Sequence, residues 1–461
     1  MKYHLKRLAG LVALLTLVAG PAQADSEILP TATRYDVEYP VVAYSGPARK
    51  NRVWRLQQQL ISGERKLQWE PKTGYLRSLL AALEIDVDSQ LLVFSRTSLQ
   101  IERISPETPR AVYFNDDTYV GFVQNSPLIE LTAIDSEKGA VFYGFENRSD
   151  YPPEFEREGS RCLTCHDTFS MTGGGVPRVM VLSAPVDDPA DRRTIIAAQD
   201  VDDRTPMDVR WGGWYVTGST GTTTHLGNLP VREDRGGARL RERRDSRLDL
   251  TSLAGYFDTS IVLTDQSDVV ALTVLEHQTL LQNQITRVDY KVRTVMEREG
   301  DGAGSTGRTT PIRSWADISP NDTARLQQMM EPLVRALFMQ DAVAFKDRMV
   351  GSSGFAARFQ QLGPRDSRGR SLRELDLQTR LFRYPLSFVI YSEQFDNLPP
   401  YALDYVHARI VEVLQGRDTT GIATALSAAD RQAITEILID TKPKLAALLR
   451  KGMPVRDSVR K

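Results

Sequence analysis

Cys162, Cys165 and His166 stand together in the run Cys162-Leu163-Thr164-Cys165-His166. The pattern is CxxCH, the attachment signature of a c-type haem. Two thiols at this spacing reach the two vinyl groups of one porphyrin, and the following histidine is placed to ligate the iron. A bare CxxC has three other readings: a redox dithiol, half of a zinc site, or a structural disulfide. The dithiol reading expects a strand–helix junction with the first cysteine near the helix start. Here Glu158-Gly159-Ser160-Arg161 and Asp167-Thr168-Phe169-Ser170 read as loop and short helix. A zinc site needs about four ligands, and the chain has two cysteines and five histidines in all. The immediate His166 favours haem c, so one covalent haem and its iron are the expected cofactor.

The second axial position is open to several residues. Histidines 166, 225, 277 and 407 follow the leader described below. His225 sits in the glycine-flanked loop Thr224-His225-Leu226-Gly227-Asn228. Its alternative is an ordinary hydrogen-bonding loop histidine. His277 lies on the apolar stripe of a long helical segment, where a satisfied core histidine is the alternative. Glu276 precedes it but points about 100° away around a helix, so the two form no obvious acid–base couple. Met180 and Met207 offer thioether ligation, Met171 is too near His166 to cross the ring, and His407 is a further option. The metal set expected is therefore His166 with His225 or His277.

The chain opens with Lys2, Lys6 and Arg7, then runs almost wholly apolar from Leu8 to Ala19, with Ala22 and Ala24 at small-residue cleavage positions. This reads as a signal peptide over residues 1–24, too short for a comfortable bilayer span. Its removal takes the formal charge from −1 to −4. Haem c is attached outside the cytoplasm, so leader and motif agree on a periplasmic or secreted protein with no membrane span. The arginine-rich stretch 232–247 is mixed with acids and does not imply nucleic acid.

Periodicity predicts an α+β chain, β-rich in its N-terminal region and mainly helical in its C-terminal region, with the haem between them. Residues 25–150 form the β-rich part, 151–250 the haem-attachment region with loops, and 251–461 the helical part. An N-terminal strand or arm is expected over 25–50, helices over 51–63 and 74–85, and strands over 91–95, 111–114, 119–123, 128–134, 140–143 and 176–182. Longer helices are expected over 267–297, 322–349, 403–414 and 430–439. Residues 299–312 read as a connector. The tryptophans of Arg210-Trp211-Gly212-Gly213-Trp214 are placed to pack flat on a haem edge or in a core corner.

At Cys162, Cys165 and His166 the chain resembles the c-type cytochromes. Its layout is similar to that of large secreted monohaem cytochrome-domain proteins, many without an assigned role. The segments carrying the resemblance are RISPETPRAVYFNDDTYVGF, CLTCH with the following GVP, RWGGWYVTG to HLGN, VLEHQ, and PLSFVIYSEQFDNLP. The resemblance implies one integrated haem protein, lends weight to His225 and His277, and supplies no reaction. Two functions follow. One is electron transfer with a redox partner protein or a small-molecule donor or acceptor. The other is a monohaem oxidoreductase, such as a peroxidase or small-molecule oxidase, with an exchangeable distal position, His225 or His277 as base and Arg210 assisting. A sensor lacks an output module, and a hydrolase lacks a nucleophile elbow or metal motif.

Overall fold

The β4–β5 hairpin explains how the sheet is built. In the computed structural model of the chain, helices α1 (Arg52–Ile61) and α2 (Leu76–Ala82) precede strands β1 (Leu91–Val93), β2 (Arg110–Phe114), β3 (Thr118–Phe122), β4 (Leu128–Asp135), β5 (Gly139–Glu146) and β6 (Phe155–Glu158). β4 and β5 pair antiparallel over eight residues, from Leu128 opposite Glu146 to Asp135 opposite Gly139. Asp135 closes the turn: its Oδ1 accepts the backbone N–H groups of Glu137 and Lys138 at 3.0 and 3.2 Å. Gly139 takes φ +66°, a backbone region open to glycine at no steric cost. Helix α3 (Ser160–His166) follows β6, then come β7 (Val181–Ser183), β8 (Gln199–Val201) and β9 (Trp214–Tyr215). The strand order of the main sheet is β6-β5-β4-β3-β2-β1-β9, and β7 pairs with β8 apart from it.

The structure describes residues 37–167, 175–186, 198–228, 249–300 and 317–452, all within one compact unit that begins at Tyr35. The expected leader, Met171, the arginine-rich stretch 232–247 and most of the connector 299–312 lie outside them.

Both faces of the sheet are covered. On one, Tyr113, Val120, Val141 and Phe145 pack with Val53 and Leu56 of α1 and Leu76, Leu79 and Leu80 of α2. On the other, Phe114, Tyr119 and Phe142 join Leu281 and Ile285 of helix α4 (Val269–Gly300). α4 is buried on nearly every side from Val269 to Gln282, as a helix at the centre of a domain must be. Asp268 starts it, accepting the N–H of Val270 at 2.7 Å and of Ala271 at 3.2 Å. α5 (Pro320–Leu337) and α6 (Pro400–Leu414) pack on α4, and α7 (Ala428–Thr441) and α8 (Pro443–Gly452) pack on α6 and on each other. Leu281 is fully buried. Leu281→Ala is expected to destabilise the fold by about 2–5 kcal/mol through lost burial and an uncollapsed cavity, measurable by urea unfolding.

The α+β architecture is as expected, with the sheet early and the helices late. The junction between them is a different matter. No space for a haem separates the described sheet and helices there: side chains of β2, β3 and β5 pack directly on α4. Local departures have clear causes. Residues 37–50 run as turns rather than a strand. Strand β7 is confined to Val181–Ser183 because Pro177 has no N–H to donate and both backbone groups of Arg178 are given to His166. The helix expected to Met349 stops at Leu337, and Met339 turns into the left-handed region at φ +50°. Among the described residues no helix is long and apolar enough to cross a membrane.

Candidate functional site

Strand β6 ends at Glu158, Gly159 turns the chain, and α3 begins at Ser160. The expected loop before the first cysteine is therefore a strand–helix junction. Cys162 is the third residue of the helix and Cys165 lies one turn further on, so both sulfurs lie on neighbouring positions of one side. Cys162 is half-buried and Cys165 is exposed. Leu163 anchors the helix by packing against both core clusters. Burial, aided by the carboxylates of Glu158 and Glu130, pushes the Cys162 thiol up to about 12.

His166 secures the other end of the helix. Its Nδ1–H donates to the carbonyl of Arg178 at 2.7 Å, and its own carbonyl accepts the Arg178 N–H at 3.2 Å. The ring packs against Phe142 at 4.5 Å between centroids. Burial lowers its pKa below the ordinary histidine value, so the ring is neutral near pH 7.

The other two expected ligands are committed elsewhere. On α4, the Nδ1–H of His277 donates to Asp203 Oδ2 at 2.8 Å, and Nε2 meets Ser387 Oγ, also at 2.8 Å. Neither ring nitrogen is left for a metal. His225 Nδ1 accepts the N–H of Gly227 at 3.0 Å, which leaves the ring proton on Nε2 in the neutral form. The ring stands edge-on to Trp211, 5.0 Å away. Among the described residues no group of three or more His, Cys, Asp or Glu side chains is arranged to hold a metal ion. The iron centre expected from His166 with His225 or His277 is thus not assembled. The readings built on it are corrected accordingly: haem c as cofactor, a c-type cytochrome acting in electron transfer, and a monohaem peroxidase or oxidase. Arg210 does not assist a distal site either, because it is fully engaged in the core.

That engagement is a buried polar cluster beside α4. Arg210 donates to Glu276 Oε2 at 2.6 Å, to the Thr205 carbonyl at 2.7 Å and to the Asp203 carbonyl at 3.0 Å. Trp211 Nε1–H donates to the second oxygen of Glu276 at 2.5 Å. Burial pushes Glu276 up to about 7 against the pull of Arg210 and Trp211. Gly213 permits this corner: at φ +81°, a Cβ there would stand 2.5 Å from the Ala184 carbonyl oxygen. The tryptophans thus occupy a core corner. Glu276 and His277 face different partners, as their helical separation requires.

Sequence reasoning missed Asp203 and Ser387, which are 74 and 110 positions from His277. No local pattern links them. No protein family, curated protein or solved structure matches the chain, so the resemblance to monohaem cytochrome-domain proteins gains no support from comparison.

The buried histidines make the fold acid-sensitive. Burial lowers His225 to about 4. Its folded pKa lies below the unfolded value near 6.5, so its stabilisation is complete above pH 6.5 and is lost as pH falls through about 4. Urea unfolding is expected to show about 3 kcal/mol less stability from this group well below pH 4, and His225→Asn should flatten that dependence.

Proposed function

We propose that Cys162 and Cys165 form a redox dithiol that exchanges electrons with a disulfide-bearing redox partner protein. The observation that carries this reading is the strand–helix junction with both cysteines on one turn, the second of them exposed. Cys165, at the surface, is the attacking sulfur. Its thiolate bonds to one sulfur of the partner disulfide and expels the other as a thiolate. Cys162 then loses its proton and attacks Cys165 Sγ, releasing the partner's second thiolate. The chain loses two electrons and two protons and becomes a disulfide; the partner becomes a dithiol.

The high pKa of Cys162 sets the direction. A thiolate-stabilised pair is a strong oxidant because its reduced form is favoured. Here the reduced pair gains no such stabilisation at Cys162, so the couple belongs at the reducing end of the range. His166 positions the pair by tying the end of α3 to Arg178. The leader-like residues 1–24 support placement in the periplasm or outside the cell, where an accessible dithiol meets disulfides. The test is titration of the thiols of purified protein against a glutathione redox buffer. A single two-electron step involving both cysteines is expected. Two thiols that never pair would contradict the reading.

A further inference from the structure

A cleft of about 240 Å³ lies at the β6 edge of the sheet, lined from α1, β5, β6 and the turn before α1. Its apolar surface comes from Val53 and the half-buried Trp54 of α1, from Tyr143 of β5 and from Phe155 of β6. The Tyr143 hydroxyl is committed to the side chain of Asn51, which donates to it at 3.1 Å.

The open polar groups of this cleft are donors. Arg157 donates to the carbonyls of Tyr44 and Gly46, and its guanidinium lies 5.0 Å from the centroid of the Tyr44 ring. Arg49 is exposed and, among the described residues, makes no hydrogen bond or ion pair. Two guanidinium charges therefore line the cleft, and no Asp or Glu does. Asp135, the carboxylate bonded to Asn51, is spent: its Oδ2 accepts the Lys50 N–H at 2.8 Å and Asn51 Nδ2 at 3.0 Å. Gln57 adds a directed donor. Its Oε1 accepts the Phe155 N–H at 2.7 Å, which fixes the amide and leaves its Nε2 hydrogens without an acceptor among the described residues. Apolar walls with a few convergent polar groups suit a small flat ligand, and a guanidinium matches the geometry of a carboxylate.

We propose that this cleft binds a small aromatic carboxylate, its carboxylate on Arg49 and the Gln57 Nε2–H, its ring against Trp54 and Phe155. Arg157 adds positive charge while tying the turn before α1 to β6. The proposal does not depend on the dithiol reading.

Benzoate, benzamide and benzylammonium are the probes, measured by calorimetric titration and by saturation-transfer NMR on the full chain at fixed ionic strength. Benzoate is expected to bind in the millimolar range, benzamide about tenfold more weakly or less, and benzylammonium not at all. Arg49→Gln removes an exposed charge and should weaken benzoate about tenfold. Gln57→Glu keeps an oxygen for the Phe155 N–H but turns the open donor into a carboxylate, and should abolish benzoate binding. An unchanged urea midpoint in these variants shows that the site, not the fold, was lost. The proposal is overturned if benzoate does not bind, if benzamide binds as well as benzoate, or if either variant leaves benzoate binding unchanged.

Discussion

Cys165→Ser stops thiol–disulfide exchange altogether, whereas Cys162→Ser traps the partner: this contrast is the largest effect expected. The exposed sulfur makes the first bond, so its loss returns the reduction of oxidised glutathione to the uncatalysed rate. Without Cys162 the first bond still forms but nothing resolves it, and a mixed disulfide on Cys165 accumulates. Non-reducing mass spectrometry reads both outcomes directly. Burial holds the Cys162 thiol at about 12, so it is a poor leaving group when the internal disulfide is attacked at Cys165. The couple is therefore expected toward the reducing end of the biological dithiol range. Equal loss of both phenotypes, with no trapped intermediate in Cys162→Ser, would remove the assignment of roles.

Arg210→Met carries the second large expectation. The Arg210–Glu276 pair is almost entirely shielded from water, with side-chain exposures of 1% and 0%. Removing one partner leaves a buried carboxylate with only Trp211 to satisfy it. The expected loss is about 3–5 kcal/mol, the usual cost of breaking a buried pair, seen as a lower urea midpoint. Arg210 also ties down the carbonyls of Asp203 and Thr205, so the loop bearing Asp203 loosens at the same time. Arg210→Met combined with Glu276→Gln should recover part of the stability, because the stranded charge is then gone. If Arg210→Met costs less than about 1 kcal/mol, Glu276 is neutral in the folded protein and the pair is not ionic.

The elements were legible where hydrophobic period and turn chemistry agreed. The β4–β5 hairpin could be read from alternating apolar residues around Asp135-Ser136-Glu137-Lys138-Gly139, and α4 from its long apolar recurrence. The sequence reading failed where tertiary contacts decided. Arg178 gives its backbone to His166 rather than to a strand, and the helix ends at Leu337, just before the left-handed Met339, with no stop signal in the sequence. At the site, the two cysteines were visible from spacing alone. The roles of the histidines were not: His277 is a core residue whose partners come from distant loops, and His225 folds back on its own turn. Glu158-Gly159-Ser160 looked like a loop because a four-residue edge strand and a seven-residue helix carry almost no periodicity.

The most direct test is the state of the two sulfurs in the full chain purified without reductant. Intact mass, with and without reduction and followed by alkylation, reads it. The dithiol account predicts a chain lighter by two hydrogens than its thiol form, converted by reductant into one that alkylates at both Cys162 and Cys165. A thioether-linked group on both sulfurs that survives reduction, such as a tetrapyrrole, would contradict it.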